Sequence, residues 1–334
     1  LAFGCSGTPL GINIPNYDDI RQTDGFKNVN LANVYPKAKA SRMKFLSEED
    51  IALICKHDEV ASKIHTALHE LLGHGTGKLF SKNKEGALNF KDVTNPLTGE
   101  AVTKYYEANE TYDYKFGSLS SSYEECRADT VGIYLALFDQ PLEIFAGEQK
   151  ENWEDITYVM WMSQLLQGFR ALEYYNPESK KWGQAHVMGR YVTMRVLHEA
   201  GLVDITFTED DTNMIVSLKR DLLRTDGKDA VGKFLTKLQV YKSSGDSETG
   251  LKMYQDYSQV DEFFLKIRNI VLRHKLPRRL ELQPHLSKES ESVNYADFEE
   301  TFEGIITSYQ TRYPEFDQEM LNLWDQDRES IRMQ

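Results

Sequence analysis

The sequence predicts a mainly α fold of the α+β kind, and three observations carry that expectation. Long stretches place apolar residues at three- and four-residue steps, the period of a helix face. Residues 1–42 instead mix Gly, Pro and Asn with short apolar pieces, as strands and loops do. Residues 202–219 alternate apolar and polar positions, the period of a strand.

Taken in order, residues 1–42 are expected to supply strands and connecting loops. Residues 43–75 read as helices, with Val60, Ile64, Ala67, Leu68, Leu71 and Leu72 on one stripe and Gly75 and Gly77 ending it. Residues 81–118 are a long polar connection with turn signals at Asn95-Pro96 and Thr98-Gly99. Such a length is usually functional or mobile, and this connection is expected to rim a cleft. A helix restarts at Ser120, Ser121 and Ser122, with Val131, Tyr134, Leu135 and Leu137 on its apolar side. Residues 152–175 predict an amphipathic helix through Ile156, Val159, Met160, Leu165, Leu166, Phe169 and Leu172, and residues 182–200 another. The alternation over 202–219 predicts a hairpin turning at Glu209-Asp210-Asp211-Thr212, and the remainder reads as mainly helical.

The chemistry concentrates in two short runs. His69-Glu70-Leu71-Leu72-Gly73-His74 carries two imidazoles and a carboxylate, and Glu124-Glu125-Cys126-Arg127-Ala128-Asp129 adds carboxylates on a second helix. Positions i and i+4 of a straight helix differ by about 40° in direction, but i and i+5 by about 140°. His69 and His74 can therefore share an ion only if the helix holds an extra residue as a bulge, a feature common at functional sites. Gly73 tolerates that distortion at low steric cost. A catalytic zinc keeps three protein ligands and one open position for water. His69 and His74 supply two ligands, and Glu125 is the best candidate for the third. Glu70 would point at the water as general base while the ion polarises a peptide carbonyl. Glu124 and Asp129 are placed to accept the outer N–H of the two imidazoles.

The HELLGH run at 69–74 with EECRAD at 124–129 resembles the paired signatures of the dipeptidyl peptidase III, or M49, metallopeptidase family. The likeness extends along nearly the whole chain. Asn13-Ile14-Pro15-Asn16-Tyr17-Asp18-Asp19 looks like the family's substrate-binding strand. The run from Gln184 to Arg190 looks like its transition-state histidine and arginine, and Arg278-Arg279 like its late basic pair. The resemblance implies that His69, His74 and Glu125 bind one Zn2+ and that Glu70 is the base. By the same likeness, His186 stabilises the tetrahedral intermediate, Asn13 and Asn16 hold the N-terminal end of a short peptide, and Arg190 and Arg278 contact or orient it. It also implies discontinuous lobes: residues 1–42 and 279–334 in a β-containing lower lobe, and 43–278 in a helical catalytic lobe. The family is about twice as long, with a catalytic tyrosine and acidic groups in its N-terminal part, so this chain, beginning at Leu1, is expected to be a C-terminal portion. Leu97-Thr98-Gly99-Glu100 stands where mammalian members carry the ETGE loop that binds a Kelch-type redox sensor, so that partner is not expected.

Composition narrows the classes. A length of 334 residues suggests about two domains, and 40% apolar with 27% charged residues is ordinary for a soluble globular protein. The net charge of −13, with no offsetting basic stripe, argues against nucleic acid. Cys5, Cys55 and Cys126 are odd in number and far apart, which fits a reducing, cytoplasmic setting. No apolar run approaches the roughly 20 residues of a membrane span, and the first fifteen residues do not read as a signal peptide.

Blander readings compete at several positions. His65 and His69 are spaced i, i+4 and could pair without a bulge, but the second motif makes His65 a packed or solvated histidine. His57, His198, His274 and His285 have no partner pattern. Cys126 beside Glu125 reads as a small core residue. Gly73 to Lys78 is one residue short of a phosphate loop, and Leu79 stands where Ser or Thr is needed. Three functions remain: a zinc exopeptidase releasing dipeptides from short peptides, a structural zinc or peptide-binding module, and a zinc- and peptide-binding fragment with little turnover. Glu70 speaks against the structural module, since a closed four-ligand site needs no neighbouring base.

Overall fold

A computed structural model describes residues 11–15, 17–31, 38–40, 43–275, 282–313 and 318–331. They fall into two compact units, one within 8–276 and one within 277–334. The fold is mainly α with small antiparallel hairpins, as the sequence predicts.

The larger unit opens with a hairpin of β1 (Gly11–Ile14) and β2 (Lys27–Asn30), in which Asn13 lies opposite Asn28. Between them runs a short helix, α1 (Asp18–Thr23). This corrects the reading of residues 13–19 as one strand. Pro15 has no N–H to donate to a ladder, so pairing stops at Ile14.

The helix α2 (Glu48–Leu68) begins where the Ser47 side chain accepts the Asp50 amide, and Glu48, Glu49 and Asp50 fill its positive N-terminal turn. It runs directly into a π-helical turn, His69–His74, the expected bulge. The wide turn re-phases the apolar stripe. Ile64, Ala67 and Leu68 stay buried, whereas Leu71 and Leu72 are each 41% exposed, contrary to the sequence reading. Residues 75–111 make only isolated bridges before α3 (Tyr112–Phe116). This connection is partly tucked in: Tyr106, Tyr112 and Phe116 are buried in a cluster with Tyr123, Phe234, Leu238 and Tyr254. Its tip, Pro96 and Leu97, lines a cleft with Tyr134 and Lys228.

The helix α4 (Ser120–Leu135) carries the second motif, and α5 (Asp139–Ala146) leads to α6 (Trp153–Ala171). The sequence predicts an amphipathic α6, but Trp161, Leu165 and Phe169 are fully buried and so are most of its other positions. It is a central helix, packed against α2 and against α7 (Ala185–Glu199). Burying each such large apolar side chain contributes about 1.5–3 kcal/mol, so α6 anchors the unit. A two-residue hairpin, β3 (Tyr175–Asn176) with β4 (Lys181–Trp182), joins α6 to α7. The predicted hairpin is β5 (Val203–Phe207) with β6 (Met214–Leu218). Three helices finish the unit: α8 (Lys228–Ser244), α9 (Ser247–Tyr257) and α10 (Glu262–Arg273).

The smaller unit contains a hairpin of β7 (His285–Glu289) and β8 (Ser292–Ala296), then α11 (Phe302–Arg312) and α12 (Gln318–Ile331). The hairpin is not singled out by the sequence, which reads this stretch as mainly helical. It turns at Ser290, whose φ of 57° is left-handed, and its residues are mostly exposed, so it lacks the buried apolar alternation that marks strands.

Candidate metal centre

The π turn places the imidazoles of His69 and His74 on one side of the chain, with ring centroids 4.7 Å apart and planes nearly perpendicular. The helix α4 crosses this turn closely. A Cβ built on Gly73 would lie 2.7 Å from Ala128 Cβ, so the close approach of α4 requires glycine here.

That approach brings Glu125 to both rings. Its Oε2 lies 3.3 Å from His69 Nε2 and 3.7 Å from His74 Nε2. This oxygen is buried and makes no aligned hydrogen bond among the described residues. The opposite ring nitrogens are held by carboxylates: His69 Nδ1 is 2.8 Å from Asp129 Oδ1, and His74 Nδ1 is 3.1 Å from Glu124 Oε1. Both carboxylates accept, so both Nδ1 atoms carry a proton and both Nε2 atoms face Glu125. Ligand atoms of His69, His74 and Glu125 lie within 4.8 Å of one another, the metal-competent group found among the described residues. Two imidazole nitrogens and one buried, orphaned carboxylate oxygen make three donors, which fit a catalytic-type zinc site.

Electrostatics follow from burial and pairing. Burial works against ionising Glu125, but the two imidazoles outweigh it and hold its pKa at about 2. Burial also opposes charge on Glu124, yet Arg127 and then Lys242 hold that carboxyl well below the usual range. Burial would lower His69 and His74, but their carboxylate neighbours raise both. His65, which the sequence left aside, packs against Gly132, and burial lowers its pKa to about 4. Cys126 is fully buried beside Thr193, and burial pushes its thiol up to about 12.

Glu70 is buried beside the imidazoles, and burial raises its pKa against their opposing pull. A Cβ on Gly11 would collide with the Glu70 carboxylate, so β1 lies directly against it. Asn13, also buried, donates from Nδ2 to the Glu70 carbonyl at 3.1 Å and to Asn28 Oδ1 at 2.6 Å, while its Oδ1 makes no hydrogen bond among the described residues. His186, in the first turn of α7 and about half-exposed, points Nε2 at Glu125 Oε2 from 3.3 Å, with Nδ1 at 2.8 Å from Gln184 Nε2. Arg190, one turn on, brings Nε to 3.8 Å from Asp129 Oδ2. Asn16, Arg278 and Arg279 lie outside the described residues.

The structure thus gathers Asn13, Glu70, His186, Arg190 and both motifs around one point. Sequence reasoning missed Gly11, Gln164, Gln184, Gln239 and Lys242, and assigned no role to Arg127. Gln164 Nε2 reaches Asp129 Oδ2 at 3.3 Å. Arg127 lies inside the second motif and Gln184 opens the run to Arg190, so both were in view; Gly11, Gln164, Gln239 and Lys242 lie outside the quoted runs, and only the fold brings them to the site.

Comparison with known proteins places the chain in a family. The model of peptidase family M49 matches residues 1–313. Dipeptidyl peptidase 3 of Nematostella vectensis is 46% identical over 98% of this chain and 46% of its own length. The Homo sapiens protein of that name is 45% identical over 94% of this chain and 44% of its own. A solved structure, DPP III from Caldithrix abyssi, shares the fold with a TM-score of 0.53 and 21% identity, over 80% of this chain and 43% of that one. The chain spans about half the length of the curated relatives it matches.

Proposed function

Because the chain belongs to peptidase family M49, we propose that it is the metal-binding portion of a zinc-dependent exopeptidase that releases dipeptides from the N-termini of short peptides. The observation that carries the reading is the convergence of His69 Nε2, His74 Nε2 and the orphaned Glu125 Oε2 beside buried Glu70. The dipeptide specificity follows the names of the relatives.

His69, His74 and Glu125 would hold the zinc, with Asp129 and Glu124 fixing the two ring orientations. When bound, zinc supplies a Lewis acid that acidifies water and polarises the scissile carbonyl. Glu70 takes the water proton. Its burial raises its basicity above that of a solvated glutamate, which suits a general base. His186 Nε2 donates to the carbonyl oxygen as charge develops there. The free Oδ1 of Asn13 is an acceptor for the peptide's N-terminal end, and Arg190 orients substrate; Asn16 and Arg278 are assigned the same work. Residues 1–42 and 279–334 are proposed as lower-lobe pieces and 43–278 as the catalytic lobe. Unpaired Cys55 and Cys126 support a cytoplasmic setting.

A second reading rests on length: at half the span of its relatives, the chain binds zinc and peptide but turns over slowly. Metal analysis and a dipeptidyl-naphthylamide assay, on this chain and on a version extended to the relatives' length, separate the two. One zinc per chain with turnover only in the longer protein supports the second reading. No zinc in either would sink both.

A further inference from the structure

The carboxylates behind the two imidazoles are held very differently. Asp129 meets Gln164 at 3.3 Å and the partly exposed Arg190 at 3.8 Å. Glu124 sits between two buried cations. Arg127, fully buried on α4, donates from Nε to Glu124 Oε2 at 2.9 Å and from Nη2 to Oε1 at 2.7 Å. Lys242, at the end of α8 and 1% exposed, donates to Oε2 at 2.9 Å. Oε1 is also the oxygen facing His74 Nδ1.

The cations are themselves fixed. Arg127 Nη1 donates to Gln239 Oε1 at 3.0 Å, and its Nη2 reaches the Gly73 carbonyl inside the π turn. Lys242 Nζ stands 4.9 Å from the Tyr112 ring, and its backbone carbonyl accepts from the Tyr106 hydroxyl at 2.7 Å. A buried ion pair is a weak stabiliser beside apolar side chains of equal volume, so packing alone does not account for a lysine carried into this core. What three charged donors on one carboxylate do supply is a fixed plane. They immobilise Glu124 and leave the side of Oε1 that meets His74.

We propose that Lys242 and Arg127 are positioning residues for the metal site: they clamp Glu124 onto His74 Nδ1 and so aim His74 Nε2 at Glu125. The proposal rests on the reading of His74 as a ligand. It extends the site from the two motifs to α8, more than a hundred residues further along the chain.

The test is zinc affinity, by competition with a chromophoric chelator, for wild type, Lys242→Met, Glu124→Gln and the double variant. Thermal unfolding of each metal-free protein accompanies it. Lys242→Met is expected to weaken zinc about 10–100-fold, the usual range for losing outer support of a ligand. In the Glu124→Gln background the same change is expected to matter by less than about twofold, because the clamp has lost its target. A lower unfolding temperature with unchanged zinc affinity would show plain packing and overturn the proposal. An equally large zinc effect in the Glu124→Gln background would overturn it too, since Lys242 would then act elsewhere. If Lys242→Met does not fold, Lys242→Gln is read by the same two criteria; its side chain is one atom shorter, so its amide stops short of Glu124 yet stays polar. Folded wild type that binds no zinc would remove the ligand assignment itself, whereas normal wild-type binding with an indifferent Lys242 removes only the clamp.

Discussion

Gly73 and Ala128 touch without space for a side chain between them: a Cβ on Gly73 would lie 2.7 Å from Ala128 Cβ and 2.8 Å from its Cα. Gly73→Ala is therefore expected to push α4 away from the π turn and carry Glu125 off the imidazoles. Overpacking of this kind costs typically about 1–3 kcal/mol. Thermal unfolding with and without zinc checks it. Wild-type stability together with wild-type metal retention would mean that the backbone absorbs the methyl group.

Glu70→Ala should keep zinc and lose turnover, because it removes a proton acceptor and no ligand. The expected loss in kcat is about 10²–10⁴-fold, measured in a preparation that turns over substrate. Unchanged kcat would assign the base elsewhere.

If His186 donates to charge that develops only during reaction, as proposed, His186→Ala should lower kcat about 10²–10³-fold with little change in KM or zinc content. A histidine that merely packs on α7 would leave kcat within about twofold of wild type. Steady-state kinetics and metal analysis on one folded sample decide between them.

Zinc affinity should rise with pH well beyond the range of an ordinary imidazole. In the metal-free protein, carboxylate neighbours outweigh burial and hold His69 protonated up to about pH 10, and His74 is raised in the same direction. Zinc needs both rings neutral, so each proton displaced strengthens binding about tenfold per pH unit below the raised pKa. The sign is fixed: affinity falls as pH falls. Competition titrations from about pH 6 to 9 should show no plateau near 7; a plateau there would mean unperturbed histidines.

The Cys126 thiol, raised to about 12 by full burial, should resist alkylation in the native state while exposed Cys55 reacts. Thiolate supply alone slows Cys126 about 10³-fold relative to a free cysteine. Site-resolved labelling by mass spectrometry checks it, and equal rates would show that α4 opens readily.

What the sequence made legible was local. His69, Glu70 and His74 lie within six residues, and the mismatch between their spacing and a straight helix demanded the π turn that the structure contains. Glu124, Glu125 and Asp129 were legible because a serine-led helix put three carboxylates on neighbouring faces. Lys242 was not, because a lysine on a polar helix normally reads as solvated, and only packing of α8 on α4 takes it inside. The burial of α6 on most faces was hidden for a related reason: its Thr157 and Gln164 look like a solvent face, but both find hydrogen-bond partners in the core. Leu71 and Leu72 misled in the other direction, since an apolar stripe counted at 3.6 residues per turn fails once the turn widens.

The wide turn stands in the last turn of its helix, and that location matters. An extra residue in mid-helix would rotate every later side chain by about 100° and scramble the packed face beyond it. Here the helical path ends at Gly75, so almost nothing downstream needs re-phasing. The insertion is tolerated as a helix-end event, and its reversal would be equally local. Deleting half-exposed Leu71 or Leu72 would leave the two histidines four apart, on one face of a regular helix. A six-residue and a five-residue metal motif are thus a single codon apart, with no core residue lost in crossing from one to the other.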